Sequence, residues 1–251
     1  METQIRAAGR GISRDAIKYA AMATMLLNHI GTIFLTPGTL WYELFLDVGY
    51  FTAPVMCYFL VEGYGYTHSK KRYGLRLFLF ALLSELPFCL AFSHGPGISF
   101  VALNMIFTLF ICFLLLTVRE RVQNPSLQAF LVILLFAVTL FSDWALLAPS
   151  YTLLFAWAGK DRRRLGRAFL AAALLFGGIN ALGGIDRFAF WQNLLYSLGG
   201  MAGVAAAGVC ILFFYNGRRM ERARQFSQWF FYLFYPAHLL LLGLLRLAAG
   251  L

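Results

Sequence analysis

The chain has 251 residues, of which 61% are hydrophobic and 13% charged, and its formal net charge is +10. Its mean hydropathy of +0.71 excludes an ordinary water-soluble domain, because such a domain presents far more polar surface. The basic residues are dispersed along the chain rather than gathered on one soluble face. This dispersal argues against nucleic acid as a partner and favours contact with the anionic headgroups of a lipid bilayer.

Apolar stretches of about 20 residues, the length of a membrane-spanning helix, follow one another along the whole chain. They predict an all-α, polytopic membrane helix bundle with about nine transmembrane helices. The predicted spans are 16–36, 45–66, 74–93, 100–118, 126–142, 145–159, 165–183, 193–215 and 228–248. The sixth is short and contains Pro149, so we expect a half-helix packed inside the bundle. No linker or repeat interrupts the series, which predicts one integral-membrane domain, residues 1–251.

The distribution of Lys and Arg predicts the topology. Nineteen of the 21 Lys and Arg residues lie in five short segments that alternate with nearly uncharged turns. These basic segments are 6–18, 70–76, 119–121, 160–167 and 218–224. Because Lys and Arg are retained on the cytoplasmic side of a bilayer, we expect a cytoplasmic N-terminus and an outer C-terminus.

Several polar residues interrupt the apolar spans. A lone ionisable group at mid-membrane costs on the order of 2.5–3.5 kcal/mol, so each needs a partner or a function. The ionisable groups are His29, Glu62, Glu85 and His238, and the polar residues near span ends or within spans include Asn104, Asp143, Asn180 and Asn216. Hydrogen bonding between helices explains each Asn by itself, whereas His29 and Glu62 favour a functional role. The four cysteines lie inside spans without C-x-x-C spacing, and no metal site or disulfide is predicted.

Lys18 and His29 are eleven residues apart, close to three helical turns, which places both on one face of the first helix. The rise between them is about 16 Å, from the basic boundary into the membrane. A cation at the surface aligned with a buried imidazole suits a long anionic molecule whose phosphates contact Lys18 and whose reactive end approaches His29. A Lys that extends its ammonium to the membrane surface below an unrelated polar contact is the alternative.

The segment IKYAAMATMLLNHIG, residues 17–31, resembles the first span of the TraX family of membrane proteins. Blocks similar to the family follow in family order at 48–88, 103–109, 215–220 and 230–240. The resemblance implies an integral-membrane acyltransferase of the bacterial inner membrane that transfers an acetyl group from acetyl-CoA. The namesake's acceptor is the N-terminal amine of a pilin subunit, so the implied acceptor is a protein amine.

The resemblance also implies a site. His29 takes the role of the first-helix His and Lys18 that of its basic partner, while Glu62, Asn104 and His238 fall in other matching blocks. We expect the phosphates of acetyl-CoA to be held from the cytoplasmic side by the following basic residues: Lys18, Arg76, Lys70, Lys71, Arg72, Arg218 and Arg219.

The expected chemistry is general base catalysis, since neutral imidazole has a pKa near operating pH. We expect direct transfer, in which His29 takes a proton from an amine or hydroxyl as that group attacks the thioester. The alternative is an acetyl-His intermediate. Asn104 is expected to donate a hydrogen bond to the oxyanion. Glu62 either orients a partner or pairs with Arg76, and His238, after Pro236, is either structural or catalytic.

Two positions depart from the family pattern. Asn28 stands where the family usually has Asp before the His, and Gly49 is followed by Tyr50 where a Gly-Arg pair is common. Because Asn28 replaces an acid, one alternative is that the protein is an inactive relative that acts as an assembly factor. O-acetylation of an envelope glycan is a second alternative. A transporter, with helix breaks at Pro54, Pro87, Pro149 and Pro236, is a third.

Overall fold

A computed structural model of the chain describes residues 11–93, 95, 97–220 and 224–251. Within this part all regular secondary structure is helical, as predicted, and there is no β-strand. The α-helices are α1 (Arg14–Phe34), α2 (Leu40–Gly49), α3 (Thr52–Tyr66), α4 (Lys70–Phe92), α5 (Met105–Arg121), α6 (Pro125–Thr139), α7 (Leu147–Ala158), α8 (Arg162–Gly184), α9 (Phe190–Val209) and α10 (Arg224–Ala248). A π-helical segment, Cys210–Phe214, continues α9.

Five described segments are long and apolar enough to cross a membrane. They are Leu40–Tyr66, Lys70–Phe92, Arg162–Gly184, Phe190–Phe214 and Phe226–Ala248. They coincide with the predicted second, third, seventh, eighth and ninth spans, and the chain is therefore a multi-pass membrane protein. The number of nine spans and the cytoplasmic N-terminus stay predictions.

Two predicted boundaries are wrong by about five residues, and hydrogen bonding at helix starts explains both. The second segment starts at Leu40 rather than residue 45, because the Thr39 hydroxyl accepts a hydrogen bond from the Tyr42 N–H. The fourth predicted span starts at Met105 rather than residue 100, because the Asn104 side chain caps the helix.

The prolines do not break the helices. Pro87 and Pro236 lie inside α4 and α10, which continue through them. Pro149 lies in the first turn of α7, where a missing N–H is tolerated. At 12 residues α7 is about 18 Å long, which agrees with the expected half-helix. The helix breaks on which the transporter alternative depends are therefore absent at these three prolines.

The described residues form two compact units, each made of two stretches of the chain. Unit 1 contains the described residues of Met1–Met56 and Lys160–Phe231, and unit 2 those of Cys57–Gly159 and Tyr232–Leu251. Helices α3 and α10 contribute residues to both. Because the stretches interleave, no single cut in the sequence separates the two units.

In unit 1, glycines on α9 let the end of α2 pack against the helix backbone. A Cβ atom at Gly203 would clash with the backbone carbonyl of Asp47, and one at Gly199 would clash with the Asp47 carboxylate. A Cβ at Gly200 would lie 2.6 Å from the Phe176 ring of α8. Small residues of this kind allow close helix packing in membranes, where apolar burial contributes little.

In unit 2, α4 and α10 run parallel. The Phe80 and Tyr232 rings stack with centroids 4.8 Å apart. Further along both helices, a Cβ at Gly243 would lie 2.7 Å from Leu90 Cγ. Residue numbers therefore increase in the same direction along both helices. This agrees with the prediction that the third and ninth spans start on the same side of the membrane.

The basic segments within each unit also lie together. In unit 1, the Arg14 N–H donates to the Arg218 carbonyl at 2.8 Å, and the Arg162 guanidinium lies 5.5 Å from the Phe213 ring centroid. In unit 2, Lys70 pairs with Glu120. This grouping is the one expected if basic segments share one side of the bilayer. Arg6, Arg10 and Arg222 lie outside the described residues.

Leucines cover the outer face of α4. They are between 52% and 63% exposed: Leu75, Leu79, Leu82, Leu83 and Leu86. Such a row is unfavourable in water and ordinary against lipid.

We expect Gly203→Ala to lower the stability of the detergent-solubilised protein by about 1–3 kcal/mol, because the new methyl group displaces the Asp47 backbone. Gly178→Ala is the matched control, since a Cβ at Gly178 of α8 meets open space. Thermal unfolding would be compared for the three proteins. Equal melting temperatures for Gly203→Ala and the control would contradict the close contact between α2 and α9.

Candidate functional site

Helix α1 carries Lys18 and His29 in one unbroken helix of 21 residues. Its first turn is closed by Ser13, whose hydroxyl accepts a hydrogen bond from the Ala16 N–H at 3.3 Å. His29 is buried, at 8% exposure, and Lys18 is half-buried. Because the helix is continuous, Lys18 and His29 keep the shared face and the separation of about 16 Å that their spacing predicts.

The Lys18 end of α1 packs on the start of α10. The Lys18 ammonium lies 4.9 Å from the Phe231 ring centroid, and the Tyr19 ring lies 4.9 Å from the same ring. The Tyr19 hydroxyl and the Ser227 hydroxyl are hydrogen-bonded at 3.0 Å. These contacts fix where the ammonium lies, and a cation over an aromatic face gains roughly 0.5–1 kcal/mol.

Arg218 and Arg219 are exposed on a segment that follows the π-helix. We name residues 214–220 the arginine loop. Its backbone is hydrogen-bonded to residues 12–14, immediately before and at the start of α1. Unit 1 therefore holds four of the predicted site residues: Lys18, His29, Arg218 and Arg219.

Asn28 packs α1 against α2. Its Nδ2 donates a hydrogen bond to the Leu46 carbonyl at 3.2 Å, and a Cβ on Gly49 would clash with the Asn28 side chain. A carboxylate at this position has no proton to donate to a carbonyl. The next residue, Tyr50, packs its ring 4.6 Å from Phe176. The two departures from the family pattern therefore take part in different helix contacts, Asn28 between α1 and α2 and Tyr50 against α8.

Asn104 is fully buried in unit 2. Its Oδ1 accepts hydrogen bonds from the N–H groups of Ile106 (3.0 Å) and Phe107 (3.2 Å). Its Nδ2 donates to the Ala81 carbonyl (2.7 Å) and to Glu85 Oε2 (2.6 Å). Both amide protons are therefore in use. This geometry gives Asn104 the role of closing the start of α5, and the expected bond to an oxyanion would require one of these bonds to break.

Further polar groups surround the start of α5. Glu85 Oε2 also accepts a hydrogen bond from the Asn104 backbone N–H at 3.2 Å. The Tyr235 hydroxyl accepts one from the Met105 N–H at 3.2 Å, and the Thr108 hydroxyl donates to the Asp143 carbonyl at 2.6 Å. The sequence singled out Glu85 and Asp143 separately and missed Tyr235, because a tyrosine in an apolar helix carries no distinguishing spacing.

Asp143 lies in a turn with unusual backbone geometry. Trp144 and Leu146 have φ angles of 57° and 60°, which are strained for side chains of this size. The turn holds the Asp143 N–H against the Leu103 carbonyl at 2.8 Å. Burial raises the pKa of the Asp143 carboxyl to about 6.

His238 is buried in α10 and hydrogen-bonded within its own helix. Its Nδ1 donates to the Phe234 carbonyl at 2.7 Å, since a carbonyl can only accept. In the neutral ring Nε2 is therefore the basic nitrogen. This bond is compatible with a structural role for His238, and the choice between a structural and a catalytic role stays a prediction.

The remaining predicted residues lie in unit 2. Lys70 pairs with both carboxylate oxygens of Glu120, which also accepts a hydrogen bond from the Tyr64 hydroxyl. The charge of Lys70 is thus already matched. Lys71 and Arg72 are exposed at the start of α4.

Arg76 is half-buried, and its Nε has no hydrogen-bond partner within the described residues. Glu62 is half-buried in α3, and its proposed roles stay predictions. No cluster of three or more His, Cys, Asp and Glu side chains suited to a metal ion is present in the described part of the chain.

Comparison with known proteins places these residues in a family context. The sequence model of the TraX protein family matches residues 13–246. The chain is 31% identical over 237 residues to a probable fimbrial assembly protein, FimC of serogroup H1, from Dichelobacter nodosus. The match covers 90% of this chain and 92% of that relative. No solved structure matches the chain.

We expect Asn104→Ala to destabilise the protein by more than about 2 kcal/mol, because two N–H groups and Glu85 each lose a partner in a buried region. Asn124→Ala is the control, since Asn124 caps α6 at an exposed position and should cost about 1 kcal/mol. Thermal unfolding in detergent measures both. A smaller loss of stability at Asn104 than at Asn124 would contradict the structural role of Asn104.

We expect the contribution of Asp143 to stability to fall as pH rises from about 4 to about 6, because the folded state holds the Asp143 proton more tightly than the unfolded chain does. The upper limit is about 3 kcal/mol, at 1.36 kcal/mol per pKa unit. Asp143→Asn should remove this contribution, so that the stability of the variant relative to wild type rises over this range. Asp161→Asn should retain it, because hydrogen bonds led by that from the Arg164 N–H lower the pKa of Asp161 and move its titration below this range. Denaturant titrations at each pH provide the test, and an unchanged slope in Asp143→Asn would contradict it.

Proposed function

The chain belongs to the TraX family, and we propose that it is a membrane-embedded acyltransferase that transfers an acetyl group from acetyl-CoA to an amine. The supporting observation is the single helix α1, which carries a cation and a buried imidazole on one face. The separation of about 16 Å suits an elongated donor with phosphates at one end and a thioester at the other.

The proposed reaction uses His29 as a general base. The amine nitrogen attacks the thioester carbonyl carbon, so that a C–N bond forms and the C–S bond breaks. The proton that leaves the nitrogen passes to the neutral imidazole of His29. The imidazolium then protonates the departing thiolate, which regenerates neutral His29 and releases free CoA. Proton transfer of this kind contributes about 10²–10⁴-fold to a rate.

The donor phosphates contact Lys18, Arg218 and Arg219 in this proposal. All three lie in unit 1, and the arginine loop is hydrogen-bonded to the start of the helix that carries Lys18. Guanidinium groups bind phosphate oxygens in a bidentate manner. Participation of Glu62, Lys71, Arg72 and Arg76 stays a prediction from the resemblance. Lys70 contributes less, since Glu120 already pairs with it.

The proposed acceptor is the N-terminal amine of a pilin-type subunit, and the proposed location is the bacterial inner membrane. The relative from Dichelobacter nodosus carries the name of a fimbrial assembly protein, which supports a connection with surface fibres. The same name favours a second candidate function, that of a non-enzymatic assembly factor. Asn28 supports this alternative as well, since it serves helix packing where the family usually has an acid.

We expect His29→Ala to lower acetyl transfer by at least about 100-fold while the protein stays folded and membrane-inserted. The assay supplies radiolabelled acetyl-CoA to membranes that contain the protein and the fibre subunit. Mass spectrometry then locates the added acetyl group. His68→Ala is the matched control, because His68 is exposed between α3 and α4. Transfer by His29→Ala at the wild-type rate would refute the assignment of the base.

Other outcomes separate the alternatives. Label on an envelope glycan instead of a protein amine would identify an O-acetyltransferase. Fibre assembly that depends on the protein but proceeds with no acetylated product would favour the assembly factor. His238→Gln tests the second buried imidazole, whose basic Nε2 makes it another candidate for proton transfer.

A further inference from the structure

We propose that Asp15 is a positioning residue whose buried carboxylate holds the arginine loop against α1, so that Arg218 and Arg219 stay at the Lys18 end of that helix. This inference rests on the proposed function, in which these three cations bind the donor phosphates. Asp15 itself contacts no substrate.

The backbone of the arginine loop forms a short parallel pairing with the residues before α1. The Ile12 N–H donates to the Phe214 carbonyl at 2.7 Å, and the Asn216 N–H donates to the Ile12 carbonyl at 3.1 Å. The Arg14 N–H donates to the Arg218 carbonyl at 2.8 Å. The loop thus lies along the start of α1 over several residues.

Two side chains hold the loop on either side of its arginines. Before them, Asn216 donates from Nδ2 to the Gly11 carbonyl at 3.2 Å and accepts from the Arg218 N–H at 2.9 Å. Gly217, with φ of 73°, supplies the left-handed residue that this turn needs. After the arginines, the Met220 N–H donates to Asp15 Oδ2 at 2.7 Å.

Asp15 is suited to this role by its position. It is 8% exposed, and a buried carboxylate is costly unless it accepts hydrogen bonds. It lies in the first turn of α1, where the helix dipole stabilises a negative charge. Its bond to the Met220 N–H is charge-assisted and therefore stronger than a bond between neutral groups.

Three N–H groups at the start of α1 already have partners as the loop is placed. The Arg14 N–H is used by the Arg218 carbonyl, the Ala16 N–H by the Ser13 hydroxyl, and the Ile17 N–H by the Ser13 carbonyl. In this proposal phosphate binding at this end therefore depends mainly on side-chain cations. Their positions depend in turn on the hydrogen bonds that hold the loop.

The experiment compares Asp15→Ala with Asp15→Asn and Ser13→Ala in purified full-length protein in lipid nanodiscs. Asp15→Asn keeps a side-chain oxygen that can accept from the Met220 N–H. Ser13→Ala weakens the start of α1 without touching the loop. Trypsin cleavage after Arg218 and Arg219 reports how firmly the loop is held, and steady-state kinetics with acetyl-CoA report donor binding.

We expect Asp15→Ala to be cleaved at Arg218 and Arg219 at least about fivefold faster than wild type, with KM for acetyl-CoA raised about tenfold and kcat nearly unchanged. Asp15→Asn should recover most of both effects, and Ser13→Ala should show neither. Unchanged cleavage in Asp15→Ala would overturn the attachment of the loop. Faster cleavage with an unchanged KM would overturn its role in donor binding.

The cleavage assay needs no enzymatic activity, so it separates this inference from the proposed function. If wild type transfers no acetyl group and binds no acetyl-CoA, the proposed function fails and the donor-binding role of Asp15 fails with it. Faster cleavage of Asp15→Ala would then still establish the attachment of the loop.

Discussion

Lipid offers polar groups no water, and the hydrogen bonds at helix ends are the constraint on which this protein's structure depends. Asn104 illustrates it in unit 2, where one side chain caps α5 and also binds the preceding helix and Glu85. Ser13 and the arginine loop do the same for α1 in unit 1. Some polar residues that the sequence suggests as catalytic therefore use their hydrogen bonds to cap helices.

This constraint separates the polar residues by role. Asn104, Asn28 and Asp15 bind backbone groups, and their hydrogen-bonding capacity is directed at the fold. His29 lies inside α1 rather than at a capping position, and it stays the candidate for the proposed chemistry. His238 combines both features, because one ring nitrogen binds its own helix and the other is basic. At the basic end of α1, hydrogen bonds between the arginine loop and the helix determine where the loop lies. The fold of unit 1 thereby positions the cations that are proposed to bind phosphate.

Much of the helical layout could be predicted from hydropathy, because long apolar stretches have few alternatives to a membrane helix. Boundaries were less predictable at Leu40 and Met105, where single capping side chains decided the start. Pro87 and Pro236 suggested breaks that the helices do not contain. The pairing of Asn28 with Gly49 was also hidden, since residues far apart in sequence meet only when α1 packs on α2.

Local composition and helical period were enough to predict the membrane class, the helical fold and the alignment of Lys18 with His29. The family was identified from the similarity of whole segments. Which polar groups meet depends instead on how the helices pack. This packing joined Asn104 to Glu85, Lys70 to Glu120, and Asp15 to the backbone of Met220. The physical reason is that a hydrogen bond depends on distances of about 3 Å between atoms, and helical period fixes such distances only within one helix.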